Sequence, residues 1–165
     1  MAEVMVLKQR TRGLLPALAL PLAVGGLSAW LTRDGMAQFE QLNKPPLSPP
    51  GWLFPVVWTA LYLLMGLASF TVCAVGKGSR DGRRALLLYG LQLVFNFLWS
   101  IWFFGQGRYL FSFFWLLALW VLIGLTALAF ARVRPFAGWL LTPYLVWVSF
   151  AGYLNLAIYF LNRPL

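Results

Sequence analysis

Histidine is absent from these 165 residues, and Cys73 is the only cysteine. Those two gaps remove His-ligated haem, zinc sites, Ser-His and Cys-His nucleophile pairs, and any disulfide within one chain. Acidic residues are almost as scarce: four Asp and Glu stand against thirteen Lys and Arg, a net charge of +9. Charged residues make up only 10% of the chain, where about 25% is usual for a water-soluble globule. Hydrophobic residues make up 61% and aromatic residues 18%. That balance suits an integral membrane protein.

Five stretches contain no Asp, Glu, Lys or Arg: residues 13–31, 52–75, 85–104, 109–131 and 137–161. Each is about as long as the ~20 residues a helix needs to cross ~30 Å of hydrocarbon. Alternating apolar and polar runs, the mark of a transmembrane barrel strand, are missing. The expected fold is therefore all-α, a single-domain five-helix transmembrane bundle spanning residues 1–165. The first stretch follows basic residues, as a secretory signal does, but outruns the usual apolar core of about 7–15 residues and lacks a cleavage site, so it is read as the first helix. Within it Ala19 and Ala23, then Gly25 and Ala29, are small-residue pairs suited to close helix approach.

The basic residues lie between the apolar stretches. Lys8, Arg10, Arg12, Lys77, Arg80, Arg83, Arg84, Arg132 and Arg134 share one side of the expected bundle, and Arg33, Lys44, Arg108 and Arg163 share the other. The positive-inside rule then puts the N-terminus in the cytoplasm and the C-terminus outside. No basic stretch is interleaved with aromatics on a soluble surface, so nucleic acid is not an expected partner.

Residues 32–51 form the longest connector. Pro45, Pro46, Pro49 and Pro50 fix φ and remove backbone donors there, so the approach to the second helix reads as an ordered, non-helical strap, a candidate lid with Lys44 at its edge. Pro55 falls in the first turn of that helix, where a missing N–H costs little. Trp58, Tyr62, Met65 and Ser69 then share one helix face; the plain explanation of such a stripe is packing. On the third stretch Tyr89, Gln92, Asn96, Trp99 and Phe103 make one face, and its two carboxamides are costly toward lipid, so they point inward. On the fifth, Pro143, Trp147, Ala151 and Asn155 recur every four residues, with Tyr144 beside them and Tyr159 beyond. Aromatic walls from Trp58, Tyr62, Trp99 and Trp147 with amides from Gln92, Asn96 and Asn155 suit a flat, conjugated, mostly apolar ligand. Lys44 and Arg33 sit where they would meet its carboxylates. The fourth stretch is nearly all apolar and aromatic, which offers packing and little chemistry.

Three motifs in order carry a family resemblance. They are Leu42-x-Lys44-Pro45 with Pro49-Pro50 and Pro55-x-x-Trp58-Thr-x-Leu61-Tyr62-x-x-Met65-Gly66; Gln92-x-x-x-Asn96-x-x-Trp99 with Phe103-Phe104-Gly105; and Leu141-x-Pro143-Tyr144-Leu145-x-Trp147-x-x-Phe150-Ala151-x-x-Leu154-Asn155. In these the chain resembles the translocator proteins, also called tryptophan-rich sensory proteins or peripheral benzodiazepine receptor homologues. The resemblance implies a pocket open toward the first connector, a homodimer, and ligands such as protoporphyrin IX, synthetic benzodiazepines and, in eukaryotes, cholesterol. It also implies that Trp58 and Trp147 are the pocket tryptophans tied to porphyrin chemistry, and that Tyr62, Gln92, Asn96 and Ala151 line the same cavity.

Two lid positions depart from the family pattern: Gln38-Phe39 replaces a Trp-Tyr pair, and Leu47 replaces a tryptophan. A sterol-recognition pattern drawn through Leu154, Tyr159 and Arg163 is a weak signal. The leading expectation is a membrane receptor for tetrapyrroles, with porphyrin as ligand rather than cofactor and no metal site. A light-dependent porphyrin-degrading enzyme, using Trp58 and Trp147 as its catalytic indoles, is the first alternative. A porphyrin or sterol transporter is the second, although no intramembrane charge or clear inverted repeat favours it.

Overall fold

The computed structural model describes residues 13–163, and among them there is no strand. The elements are α1 (Leu14–Leu31), α2 (Arg33–Glu40), α3 (Leu53–Val75), α4 (Arg80–Ser100) running into a π turn (Ile101–Gly105), α5 (Tyr109–Val133), α6 (Pro135–Trp139) and α7 (Thr142–Asn162). Five segments are long and apolar enough to cross a membrane, with α6 and α7 together forming the last. The interior is mainly apolar but holds several polar side chains, and the outer surface is apolar as well. Gln92, Asn96, Ser112, Thr126 and Asn155 are buried, while Leu15, Leu87, Phe114 and Trp139 open outward. In hydrocarbon that arrangement satisfies polar groups inside and leaves apolar surface to lipid. Fold class and membrane location are thus as the sequence predicts.

Helix α5 packs between α4 and α7, α1 lies along α3, and α1 also reaches α4. Close approach of α1 and α3 depends on Gly66, where an added Cβ would stand 2.8 Å from the Ala17 carbonyl oxygen. Of the small-residue pairs expected on α1, Ala19 and Ala23 face outward, and Gly25 lies against α3.

Several boundaries differ from the sequence reading. Helix α4 begins five residues earlier than the charge-free stretch, because Ser79 caps it by accepting the Gly82 N–H (2.9 Å) and Asp81 sits in its first turn. The basic cluster there is therefore the first turn of a helix. Helix α5 runs to Val133, leaving only Arg134 before Pro135 opens α6 at its first position. The fifth span is broken at residues 140–141, just ahead of Pro143, which takes an early position in α7. The tight turn expected at residues 105–108 is present, with Gly107 at φ 63°. The membrane orientation expected from the basic residues rests partly on Lys8, Arg10 and Arg12, which lie outside the described residues.

The first connector holds more structure than a strap. Residues 32–40 carry α2, whose only buried side chain, Phe39, packs against Phe54 (centroids 5.8 Å), Phe103 (5.9 Å) and Phe104 (5.5 Å). The one apolar anchor suffices because three aromatic partners meet it. Beyond α2 the proline-rich stretch is non-helical, as the prolines dictate. Ser48 N–H closes a turn onto the Pro45 carbonyl (3.3 Å) with Leu47 at φ 69°, so proline then a left-handed residue occupy the centre of a type II pattern. A leucine in that conformation costs roughly 1–2 kcal/mol. Leu47→Gly is accordingly expected to raise stability by about 0.5–1 kcal/mol, read as a higher midpoint in a thermal melt in detergent. Loss of stability would show that the exposed Leu47 side chain contributes more than its backbone costs.

The strap is tied to the far end of the chain. Asn162 accepts the Asn43 N–H (2.9 Å) and donates to the Asn43 carbonyl (2.9 Å), and the Tyr153 hydroxyl donates to the Pro46 carbonyl (3.0 Å). Lys44 lies over the Phe39 ring at 5.1 Å. Pro45 is buried, Pro49 is half-buried and Pro50 is exposed.

Candidate functional site

Beneath this lid lies a half-enclosed cavity of about 370 Å³. Gly25, Ser28 and Ala29 of α1, Arg33 and Met36 of α2, Phe54, Trp58 and Tyr62 of α3, and Trp99 and Phe104 of the α4 segment reach its wall. The rings are locked to one another: Trp58 lies 5.5 Å from Tyr62, 6.2 Å from Trp99 and 6.0 Å from Tyr144. Trp99 in turn stacks on Phe103 at 5.3 Å, within the π turn. A π turn adds a residue per turn and so rotates the side chains beyond it about the helix axis. Here it brings Phe104 to the cavity wall next to α2.

Gly25 makes the aromatic wall possible. A Cβ at that position would stand 2.1 Å from the Tyr62 ring, so only glycine lets the ring lie flat against α1. Arg33 is the one charged residue on the wall; its contact with Asp34 is loose (3.8 Å) and both side chains are well exposed. The cavity is thus apolar and aromatic, with a single cation beside it.

Behind the wall runs a buried polar chain. The Tyr62 hydroxyl donates to Asn96 Oδ1 (2.8 Å), Asn96 Nδ2 donates to the Tyr144 hydroxyl (2.9 Å), and that hydroxyl donates to Gln92 Oε1 (3.1 Å). Gln92 Nε2 faces Met65 Sδ at 4.0 Å. Three helices, α3, α4 and α7, are joined in this way. A second cluster lies toward the lid end: Trp99 Nε1 donates to Asn155 Oδ1 (3.2 Å), and Asn155 Nδ2 donates to the Tyr109 carbonyl (2.7 Å). Such bonds within a bilayer contribute about 0.6 kcal/mol on average and up to ~1.7.

The nine side chains that the sequence gathers around one space are therefore divided. Trp58, Tyr62 and Trp99 form the cavity wall, while Gln92, Asn96, Tyr144 and Asn155 are spent on one another and on their neighbours behind it. Ala151 is buried within the bundle and does not reach the wall. Trp147 stands one ring away, edge-on to Phe54 at 6.1 Å, and its Nε1 is shielded with no acceptor among the described residues. Hydrogen-bonded side chains bridge α3, α4 and α7, and the cavity lies between α1, α3, α4 and the lid.

The α1 contribution escaped the sequence reading. Gly25 and Ala29 stood out there only as a small-residue pair, and Ser28 between them was the one polar residue within that stretch of wall. Phe54 and Phe104 lie outside the spacing that selected the stripes.

The sequence has counterparts among known proteins. A sequence model of the TspO/MBR family matches residues 17–161. The chain is 42% identical over 146 residues to the tryptophan-rich protein TspO of Chlorobaculum tepidum, covering 88% of this chain and 92% of that one. It is 40% identical over 129 residues to the tryptophan-rich sensory protein of Cereibacter sphaeroides, covering 76% and 78%. The translocator protein of Bos taurus is 38% identical over 138 residues, 82% of each chain.

Proposed function

The chain belongs to the TspO/MBR family, and from that premise we propose that it is a membrane receptor for tetrapyrroles and related flat aromatic molecules. One observation carries the reading: a cavity of about 370 Å³ walled by Trp58, Tyr62 and Trp99 with Arg33 as its only charge. A volume of that size suits a drug-sized aromatic body, since ligand pockets run from about 300 to 1,000 Å³. A whole macrocycle would project through the open side, beside the exposed Arg33. Stacking on the indoles supplies affinity, and a charge-assisted bond to Arg33 selects ligands that bear carboxylates. The lid, held to α7 through Asn43 and Asn162, covers the bound body.

Titration of the purified protein with protoporphyrin IX tests this, with tryptophan fluorescence as the readout. Saturable quenching is expected in the wild type. Trp58→Leu removes one stacking partner worth about 0.5–1.5 kcal/mol and is expected to weaken binding roughly three- to tenfold. Arg33→Gln is expected to weaken protoporphyrin IX severalfold and leave its dimethyl ester unaffected. Quenching that rises linearly without saturation, or that is identical in Trp58→Leu, contradicts the reading.

A further inference from the structure

At the end of the bundle opposite the lid, a groove of about 1000 Å³ opens between the start of α1, the last turns of α3 and the first turns of α4. We propose that this groove holds an anionic phospholipid, its phosphate between Lys77 and Arg83 and an acyl chain along Phe70, Ala74 and Leu86. The two kinds of wall are stacked in the order that such a lipid needs. Lys77 and Arg83 are exposed at the polar rim, Lys77 in the turn just past α3, whereas Phe70 lies five residues before the end of α3, about 7.5 Å deeper at 1.5 Å per residue.

The charge around the groove is one-sided. Lys77, Arg80, Arg83 and Arg84 belong to the turn and first turn of α4, and Arg132 and Arg134 end α5 at the same level, where Val133 abuts Gly76. Among the described residues at this end, Asp81 is the only acid. The Gly82 N–H is taken up by Ser79 and the Gly76 N–H by the Val72 carbonyl, so neither is offered to a head group. The side chains of Lys77 and Arg83 supply the charge, each favouring an anionic head group about fivefold. Basic pockets between transmembrane helices recognise acidic lipid head groups by this chemistry. The apolar depth of the groove selects a lipid over a soluble anion.

Native mass spectrometry of the full chain, released from nanodiscs of equal parts phosphatidylglycerol and phosphatidylcholine, reads the lipid retained. Phosphatidylglycerol is expected in more than tenfold excess. Lys77→Gln with Arg83→Gln is expected to bring retention to parity, while Arg132→Gln with Arg134→Gln, outside the groove, keeps most of the excess. Cys73 on the groove wall gives an independent readout: its alkylation by a maleimide is expected to be slower in phosphatidylglycerol than in phosphatidylcholine nanodiscs. Parity in the wild type, or an equal fall in both double variants, overturns the proposal. An excess that appears only when residues 2–12 are deleted assigns the groove to the chain's own N-terminal segment and overturns it as well.

Discussion

Asn96→Leu is expected to lower the unfolding free energy by about 1–3 kcal/mol, which makes it among the most damaging conservative-sized changes in the bundle. The carboxamide is 1% exposed and serves both sides of one chain, accepting from Tyr62 and donating to Tyr144. Its loss removes two bonds of about 0.6–1.7 kcal/mol each and leaves the Tyr62 proton without its acceptor. Leucine fills a similar volume, so no large cavity adds to the cost. Denaturation in mixed micelles measures the effect directly. The same variant frees the Tyr62 ring, which is a cavity wall, so ligand affinity is expected to fall together with stability. A change below about 0.5 kcal/mol would mean that the polar chain contributes little to holding α3, α4 and α7 together.

Ala29→Trp has the opposite profile: a loss of ligand affinity of tenfold or more, with little loss of stability. Ala29 is exposed and lies on the cavity wall, so a large side chain there meets open volume rather than packed protein. An indole occupies much of a space of about 370 Å³ and takes the place of the ligand's own ring against Trp58 and Trp99. The pairing of the two variants separates architecture from occupancy. Asn96→Leu weakens the fold and binding together, whereas Ala29→Trp weakens binding alone. If Ala29→Trp binds protoporphyrin IX as the wild type does, the ligand sits elsewhere.

The helices were legible because an apolar run of about 20 residues has few other solutions, and the inward carboxamides were legible because Gln92 and Asn96 have nowhere else to go. Their partners were not. Spacing along a helix assigns a face, but it does not say whether that face meets a void or another side chain. Tyr144 and Asn155 share a polar interior with the α4 amides, and that interior consumes the hydrogen bonds expected for a ligand. The void belongs to α1, whose wall residues Gly25 and Ala29 carry almost no side chain and so no chemical signal. Likewise α2 is short and mostly exposed, and only its packing of Phe39 onto three phenylalanines makes it visible. Gln38 and Leu47, the two departures from the family pattern, are both exposed, whereas Phe39 keeps the buried anchor.

A cysteine at position 29 tests the cavity most directly. In Ala29→Cys the protein carries two thiols at opposite ends of the bundle, the new one on the cavity wall and Cys73 in the other groove. Alkylation by a maleimide, followed site by site by mass spectrometry, is expected to slow severalfold at position 29 on adding protoporphyrin IX and to stay constant at Cys73. Saturable binding that leaves the rate at position 29 unchanged would place the ligand outside the space between α1, α3, α4 and the lid, and the account would fail.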